Sequence, residues 1–450
     1  MGSSVNQRAV RWLRAELPAL VASGTISAEN AQAIEKYYEA KSAGAPKLGF
    51  VLLAAVGSIL VAAGIVLLIA HNWDDFSRPV RSAIAFLPLL AAQALSVFVL
   101  LRRNESKAWR ECAAIFNVAG IGTAISLVSQ TYQISGSLSN FIFVWMLLSL
   151  PLVYLMRTTL GAITYLIGAV VWIGVRERVS GFDPISFWLL LLLVVPYFAM
   201  VYRRDRGSGE TTGLSIVLAI AAAVGLGYTA NFTGGVVDGN LSFVALAGFF
   251  TAVYICGVEF FPATSSGRLH LLALLSGVAI GVMTIVLTFE GVWSQRPLRE
   301  PADLLHGICI AIELSFPIAA VVLTVGTFVR RRAQFSVLAA AFPILVALGW
   351  YLTSVCPGRD LETTHTDCDF WTAILFDVYA LALGVELIAR GLRAQSAART
   401  NFGLLVIAAL GIARFFDSDL SFVTRAIGFI VIGVGFILTN VVLFKRRSAA

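Results

Sequence analysis

Two acidic side chains lie inside apolar stretches of the chain, where an ionisable group is costly to bury. Glu313 and Asp377 each lie about 9 Å along the predicted helix from the same membrane face, at about 1.5 Å per residue. Because neighbouring carboxylates raise one another's proton affinity, a pair in one layer predicts a proton- or cation-responsive site. Two separate hydrogen-bonded residues remain the favoured alternative, since nothing in the sequence shows that the stretches touch.

Two arginines flank a short acidic turn near the end of the chain. Arg414 and Arg425 enclose Asp417 and Asp419, and this spacing predicts an ion-pair cluster. If the cluster is a functional site, its guanidinium groups bind a substrate carboxylate or phosphate, which competes with the acidic side chains of the turn. As a structural feature, the cluster closes a helical hairpin. The structural interpretation is favoured because adjacent Arg and Asp need no ligand.

A stripe of polar residues lies at the end of one of the early apolar stretches. Thr123, Ser126, Gln130 and Gln133 recur at helical spacing and share one face if the helix continues. Thr123 and Ser126 are typical of small-residue packing between membrane helices. Gln130 and Gln133 are not explained by packing, so we expect them to line a water-accessible pocket.

Two cysteines flank a loop expected on the outer side of the membrane. Cys356 and Cys368 enclose residues 357–367, and an oxidising periplasm permits a disulfide between them. A metal site that adds His365 and Asp367 is the weaker alternative, because such ligand mixtures are poor predictors. We therefore predict a disulfide and no metal site.

The composition indicates which structural elements hold these residues in place. The chain has 450 residues, of which 58% are hydrophobic and 13% charged, whereas soluble domains carry roughly 25% charged residues. The sequence predicts an all-α, polytopic transmembrane bundle of about fourteen spans. The expected spans are 48–70, 80–101, 112–129, 141–156, 159–175, 185–202, 213–230, 241–261, 269–289, 307–329, 334–355, 371–389, 402–416 and 422–444.

The distribution of positive charge predicts the orientation. With both termini in the cytoplasm, the strong basic clusters at 102–110, 203–206, 330–332, 390–399 and 445–447 all fall inside. The alternate loops are mostly acidic. Arg176 and Arg178, and also Arg296 and Arg299, fall outside on this count and are the exceptions.

Residues 1–44 are expected to form a cytoplasmic helical hairpin, followed by a transmembrane domain at 45–450. Gly24 can end the first helix in a left-handed conformation, and Ser27 can cap a second helix. The hairpin can dock a protein partner. A helix on the membrane surface, with Trp12 at the headgroups, is the alternative.

Several short motifs resemble a known family. They are GTIS at 24–27, HNW at 71–73, QTYQISG at 130–136, and RFFD at 414–417 followed by Arg425. This pattern is similar to a family of bacterial predicted membrane proteins, domain of unknown function 2157. The resemblance implies a bacterial inner-membrane location, and it implies no activity, substrate or catalytic residue.

Missing motifs narrow the function classes. The chain has no Walker loop, zinc-protease helix motif or nucleophile elbow, so ATP hydrolysis and those hydrolytic reactions are not predicted, and neither is a cofactor. Nucleic-acid binding is disfavoured because the basic residues lie in short clusters between apolar runs. The leading hypothesis is a secondary-transporter-like or flippase-like protein for a small or amphipathic solute, surrounded by membrane lipids. Its polar site is expected to open outward and to be formed near Glu313, Asp377, Gln130 and Gln133. The alternative is a membrane scaffold or sensor whose hairpin binds a cytoplasmic protein.

Overall fold

The computed structural model describes most of the chain between residues 7 and 417. The described residues are 7–42, 75–176, 184–234, 240–261, 270–293, 303–330, 335–356, 367–394 and 396–417, with 430 and 433–435. The first expected span, the HNW motif, His365 and Arg425 lie outside these ranges, and only residues 430 and 433–435 of the fourteenth expected span are described.

The chain divides into two compact units, Met1–Arg81 and Ser82–Ala450. The first contains α1 (Gln7–Ala22) and α2 (Ala28–Ser42). Gly24 between them has a φ of +72°, and the Ser27 hydroxyl accepts the backbone N–H of Asn30 at 3.2 Å. Both local predictions, the left-handed glycine and the serine cap, are confirmed.

The helices that follow are apolar, and most are long. They are α3 (Arg78–Arg102), α4 (Lys107–Tyr132), α5 (Leu138–Leu155), α6 (Thr159–Arg176), α7 (Pro184–Leu192), α8 (Val195–Arg204), α9 (Gly209–Thr233), α10 (Asn240–Glu259), α11 (Leu271–Val286), α12 (Glu290–Trp293), α13 (Leu304–Val329), α14 (Val337–Ser354), α15 (Asp367–Arg393) and α16 (Ala397–Asp417).

Eleven segments of the described chain are long and apolar enough to cross a membrane. They coincide with the expected spans two to eight and ten to thirteen. The expected ninth span is α11, an apolar helix below that length. The protein is therefore a multi-pass membrane protein, as its composition predicts.

The expected sixth span is interrupted. α7 ends at Leu192 and α8 begins at Val195, although together they form one membrane-crossing segment. Pro196 lies at the start of α8 and has no backbone N–H to donate to the preceding turn. The break is thus placed where proline removes a helical hydrogen bond.

The described part of the second unit contains three hydrophobic clusters, and the two larger ones share α10. Ala245 and Phe249 of this helix belong to a cluster built from α5 to α9. Ala247 and Ile255 belong to a second cluster, which includes side chains from α11, α14 and α15. Both faces of α10 are consequently buried, and this helix connects the two clusters.

Contacts between helix ends show that neighbouring spans alternate in direction. The start of α4 contacts the start of α6 through Glu111 and Thr159, and the start of α9 contacts the start of α11 through Thr212 and His270. The start of α14 meets the end of α15 through Ser336 and Glu386. Spans that alternate in direction produce these pairings. The helix between two such spans brings the chain back to the side of the bundle on which the first of them began.

Candidate functional site

Glu313 lies on α13 and is fully buried, with 0% of its surface exposed. The hydroxyl of Thr233, at the end of α9, donates a hydrogen bond to Glu313 Oε1 at 2.5 Å. Glu313 Oε2 has no hydrogen-bond partner among the residues that the structure describes. One carboxyl oxygen of this side chain is therefore left unsatisfied in the interior.

Aromatic side chains form the wall next to this carboxyl. Phe316, one turn along α13, packs against Trp188 and Phe249 at ring-centroid distances of 5.7 and 5.4 Å. The indole Nε1 of Trp188 donates to Thr229 Oγ1 at 3.0 Å. The aromatic group excludes water from one side of the site, which strengthens electrostatic interactions within it.

A close helix crossing lies one turn below Glu313. A Cβ atom added to Gly248 of α10 would lie 2.3 Å from the backbone nitrogen of Pro317. The glycine therefore allows α10 and α13 to approach backbone to backbone. Because Pro317 has no N–H, the carbonyl of Glu313 lacks its usual helical donor.

His306 and Asp303 lie at the beginning of α13. Asp303 Oδ1 accepts the backbone N–H of His306 at 2.9 Å and contacts His306 Nδ1 at 2.7 Å. The hydrogen bond from the His306 backbone N–H holds the pKa of Asp303 below its usual value. Phe232 stacks on the imidazole with ring centroids 4.5 Å apart. Neither residue was singled out from the sequence alone.

Asp377 has a different partner from Glu313. Asp377 Oδ1 accepts from Arg414 Nε at 3.0 Å, and Arg414 also donates to the carbonyl of Thr288. The guanidinium group lies 5.8 Å from the ring centre of Phe289. The structure thus gives Glu313 and Asp377 separate partners, and it pairs Arg414 with another helix. Arg425 lies outside the described residues.

Gln130 and Gln133 are located apart from Glu313. Both side chains are exposed, and Gln133 ends α4 with a φ of +50°. The helix therefore stops before Gln133, and the one-face stripe expected from the sequence does not continue to it. α4 packs on α5 and α6, whereas the contacts of Glu313 come from α9. The four residues of the leading hypothesis do not form a single pocket.

A buried carboxylate that sequence reasoning missed lies at the opposite helix ends. Glu111 is 6% exposed and accepts the backbone N–H groups of Thr159 and Leu160, both at 2.9 Å, and the Thr158 hydroxyl. It satisfies the free amides that begin α6. Only its position just before an apolar stretch could have indicated such a role.

Glu210 belongs to the same cluster as Glu111. Its carboxylate pairs with Lys107 at 2.6 Å and accepts from the Thr159 hydroxyl at 3.1 Å. These bonds connect the beginnings of α4, α6 and α9. The cluster has the properties of a structural junction, since the described side chains satisfy its carboxylates.

Cys356 and Cys368 form a disulfide in the structure, with their Cα atoms 6.2 Å apart. The bond joins the end of α14 to the start of α15. Within the described ranges, no group of three or more His, Cys, Asp or Glu side chains could hold a metal ion.

Comparison with known proteins supports the family resemblance. Residues 18–162 match the family model described as Predicted membrane protein (DUF2157), which has no known function. The resemblance predicted from the sequence is confirmed over these residues, which are less than half of the chain. No curated protein and no solved structure matched the chain.

Proposed function

We propose that this multi-pass membrane protein is a secondary carrier that couples a cation to movement of a small or amphipathic solute. The observation that carries the proposal is the Glu313 carboxyl, which is fully buried and has one oxygen without a hydrogen-bond partner among the described residues. Intramembrane ionisable groups with this degree of burial mark ion pathways in transporters.

The electrostatic environment of Glu313 supports cation binding. The segments that surround it are 184–192 of α7, 221–233 of α9, 240–250 of α10 and 345–354 of α14, and they contain no Asp, Glu, Lys, Arg or His. A carboxylate buried without a counter-charge costs several kcal/mol. A proton or another cation that binds at Glu313 removes that cost, so occupancy of the site can be linked to a conformational change.

The location of Glu313 supports a carrier. It projects from α13 next to α10, the helix that joins the two larger hydrophobic clusters. Carriers commonly place their ion site where two helical groups meet, so that movement of one against the other changes access. The close contact between Gly248 and Pro317 is a pivot point for such a movement.

An apolar groove beside the site supports an amphipathic solute. It has a volume of about 340 Å³ and is lined by Pro317, Ile318 and Val321 of α13 and by Pro343 and Ile344 of α14. Pro317 is one turn from Glu313. The apolar tail of a solute can therefore bind in the groove, and its head reaches the Glu313 carboxyl only in a state that uncovers this buried residue.

The proposal includes a bacterial inner-membrane location, with both termini in the cytoplasm. It rests on the basic clusters of the alternate loops, such as Arg102, Arg103 and Arg203. Cysteines introduced singly at the exposed positions Glu105 and Gln133 test the orientation. A membrane-impermeant maleimide added to intact spheroplasts should label position 133 and not position 105. The reverse pattern would invert the assignment.

Solute-driven currents test the carrier proposal. Proteoliposomes on a solid-supported membrane are exposed to jumps of amphipathic cations, organic acids and small peptides. At least one class should produce a current that depends on pH and is lost in Glu313→Gln. Glu105→Gln removes an exposed carboxylate and should leave the current unchanged. A current that persists in Glu313→Gln would contradict the proposal.

A scaffold or sensor is the second candidate. The first unit contains two helices, α1 and α2, joined by a short turn, and α1 is the kind of helix that binds a partner through one face. Deletion of residues 1–44 should then abolish function in cells while the rest of the protein stays in the membrane. A carrier would keep its solute-driven current after this deletion.

A further inference from the structure

We propose that the cation exchanged at Glu313 is a proton, and that the His306–Asp303 pair passes this proton between water and the buried carboxyl. The inference deepens the proposed function and rests on its Glu313 site. It does not depend on the identity of the solute.

The hydrogen bonds of Thr233 fit both protonation states of Glu313. The Thr233 hydroxyl lies 2.5 Å from Glu313 Oε1 and also 3.1 Å from the carbonyl oxygen of Thr229. A hydroxyl has one proton to donate and two lone pairs that accept. It can donate to an ionised Glu313, or turn to the Thr229 carbonyl and accept from a protonated Glu313. Each state keeps a hydrogen bond, so the proton can leave and return without disrupting the packing.

The described side chains at this position favour a proton over a metal ion. Cations such as Na⁺ and Ca²⁺ are held by several oxygen ligands at once. The described side chains offer Glu313 and Thr233 here, and the described residues contain no cluster of three or more acidic, His or Cys ligands. A proton needs one carboxyl oxygen and one acceptor, and Glu313 Oε1 with the Thr233 hydroxyl provides both.

His306 connects this site to the end of the helix. His306 and Glu313 are seven residues apart, so they lie on one face of α13 with their Cα atoms separated by about 10.5 Å along the axis. The end of α9 contacts both residues, because Phe232 stacks on His306 and the next residue, Thr233, bonds to Glu313. The two groups therefore border the same interface between α9 and α13.

Exposure decreases along this face. The side chain of Asp303 is 65% exposed, that of His306 is 13% exposed, and Glu313 is fully buried. An aspartate at Nδ1 orients an imidazole and favours the tautomer whose Nε2 accepts a proton. In the proposed relay, His306 Nε2 takes a proton from outer water and releases it along the interface between α9 and α13 toward the Glu313 carboxylate, and the imidazole returns to its neutral form.

Few other titratable groups face the pair. Tyr228 on α9, Tyr351 on α14 and Cys309 on α13 are the titratable side chains in the surrounding segments, and α7 and the nearby part of α10 contribute none. A change in carboxyl protonation at this layer can therefore be assigned to Glu313.

Infrared spectroscopy of the full-length protein in proteoliposomes tests the inference. A laser flash releases protons from a caged acid, and the carbonyl band of a protonated carboxyl is followed in time. Glu313→Gln should remove the band, and Glu313→Asp should retain it at a shifted frequency, which shows that the site still folds. Glu105→Gln serves as the control and should leave the band unchanged.

His306→Phe preserves an aromatic ring against Phe232 and removes the proton-accepting nitrogen. The protonation rate of Glu313 should fall at least about tenfold in this variant. In His306→Ala, added imidazole should restore the rate. An unchanged rate in His306→Phe would overturn the role of His306, and a Glu313 band that does not respond to pH would overturn proton exchange. If the rates change as expected and no solute drives a current, the inference stands and the carrier proposal fails.

Discussion

Glu111 on α4 accepts the backbone N–H of Thr159 at 2.9 Å and thereby caps α6, although α5 lies between these two helices in the sequence. The same carboxylate accepts the amide of Leu160 and the hydroxyl of Thr158. Thr158 caps the helix locally by accepting the N–H of Gly161 at 3.0 Å, whereas the amides of Thr159 and Leu160 bond to Glu111. The first turn of α6 therefore depends on a residue 48 positions earlier in the chain.

Loss of this cap should destabilise the bundle. Glu111→Ala leaves buried amides of α6 without acceptors, and we expect a loss of about 2–4 kcal/mol and a lower melting temperature in detergent. Glu111→Gln keeps one acceptor oxygen and should cost less. Glu105→Ala, at an exposed position nearby, should change the melting temperature little. Equal melting temperatures for Glu111→Ala and the wild type would show that water replaces the cap.

The crossing of α10 and α13 should tolerate no side chain at Gly248. Gly248→Ala places a Cβ 2.3 Å from the Pro317 nitrogen, so the helices must separate, at a cost of about 1–3 kcal/mol. Gly227→Ala is the matched control, because Gly227 is an exposed helical glycine with nothing within 4 Å of its added Cβ. Thermal unfolding in detergent should separate the two variants. If both behave alike, the close crossing does not exist in the folded protein.

We expect the stability of the folded protein to depend on pH through His270. Its side chain is buried at the start of α11, its Nδ1 accepts the N–H of Leu272 at 3.2 Å, and burial lowers its pKa from the usual 6.5. The folded state therefore favours neutral imidazole. This contribution to stability is fully present above about pH 6.5 and is lost as the pH falls through the lowered pKa of the folded state.

Melting temperatures measured from pH 8 to about pH 5 should decline on the acid side in the wild type. His270→Asn retains a side-chain acceptor without titrating, and this variant should show a smaller decline. The same acid decline in both proteins would assign the effect to other groups.

The Cys356–Cys368 disulfide can be tested by thiol labelling, which also shows on which side of the membrane the two cysteines lie. A membrane-impermeant maleimide should label neither residue in intact cells until an impermeant reductant is added. Cys112, Cys256 and Cys309 are not in a disulfide, so a variant that replaces these three with Ser isolates the signal. Labelling without the reductant would show that the cysteines are not bonded. Labelling only after permeabilisation would place them on the cytoplasmic side.

The sequence by itself determined the membrane-spanning elements. A span is a local property, since roughly twenty apolar residues cross the hydrocarbon whichever helices surround them. For this reason the ranges expected for spans two to eight and ten to thirteen coincide with observed helices. The left-handed Gly24 and the Ser27 cap were likewise predictable, because both depend on neighbouring backbone atoms alone.

Only the tertiary structure decided which side chains meet. The sequence placed Glu313 and Asp377 at a similar depth, but depth does not reveal which helices are neighbours or how each is rotated. The fold pairs Glu313 with Thr233, and Asp377 with Arg414, across separations of 80 and 37 residues. Such contacts depend on lateral packing of helices that are all apolar, and hydropathy, which shows only where each helix crosses, cannot distinguish one apolar neighbour from another.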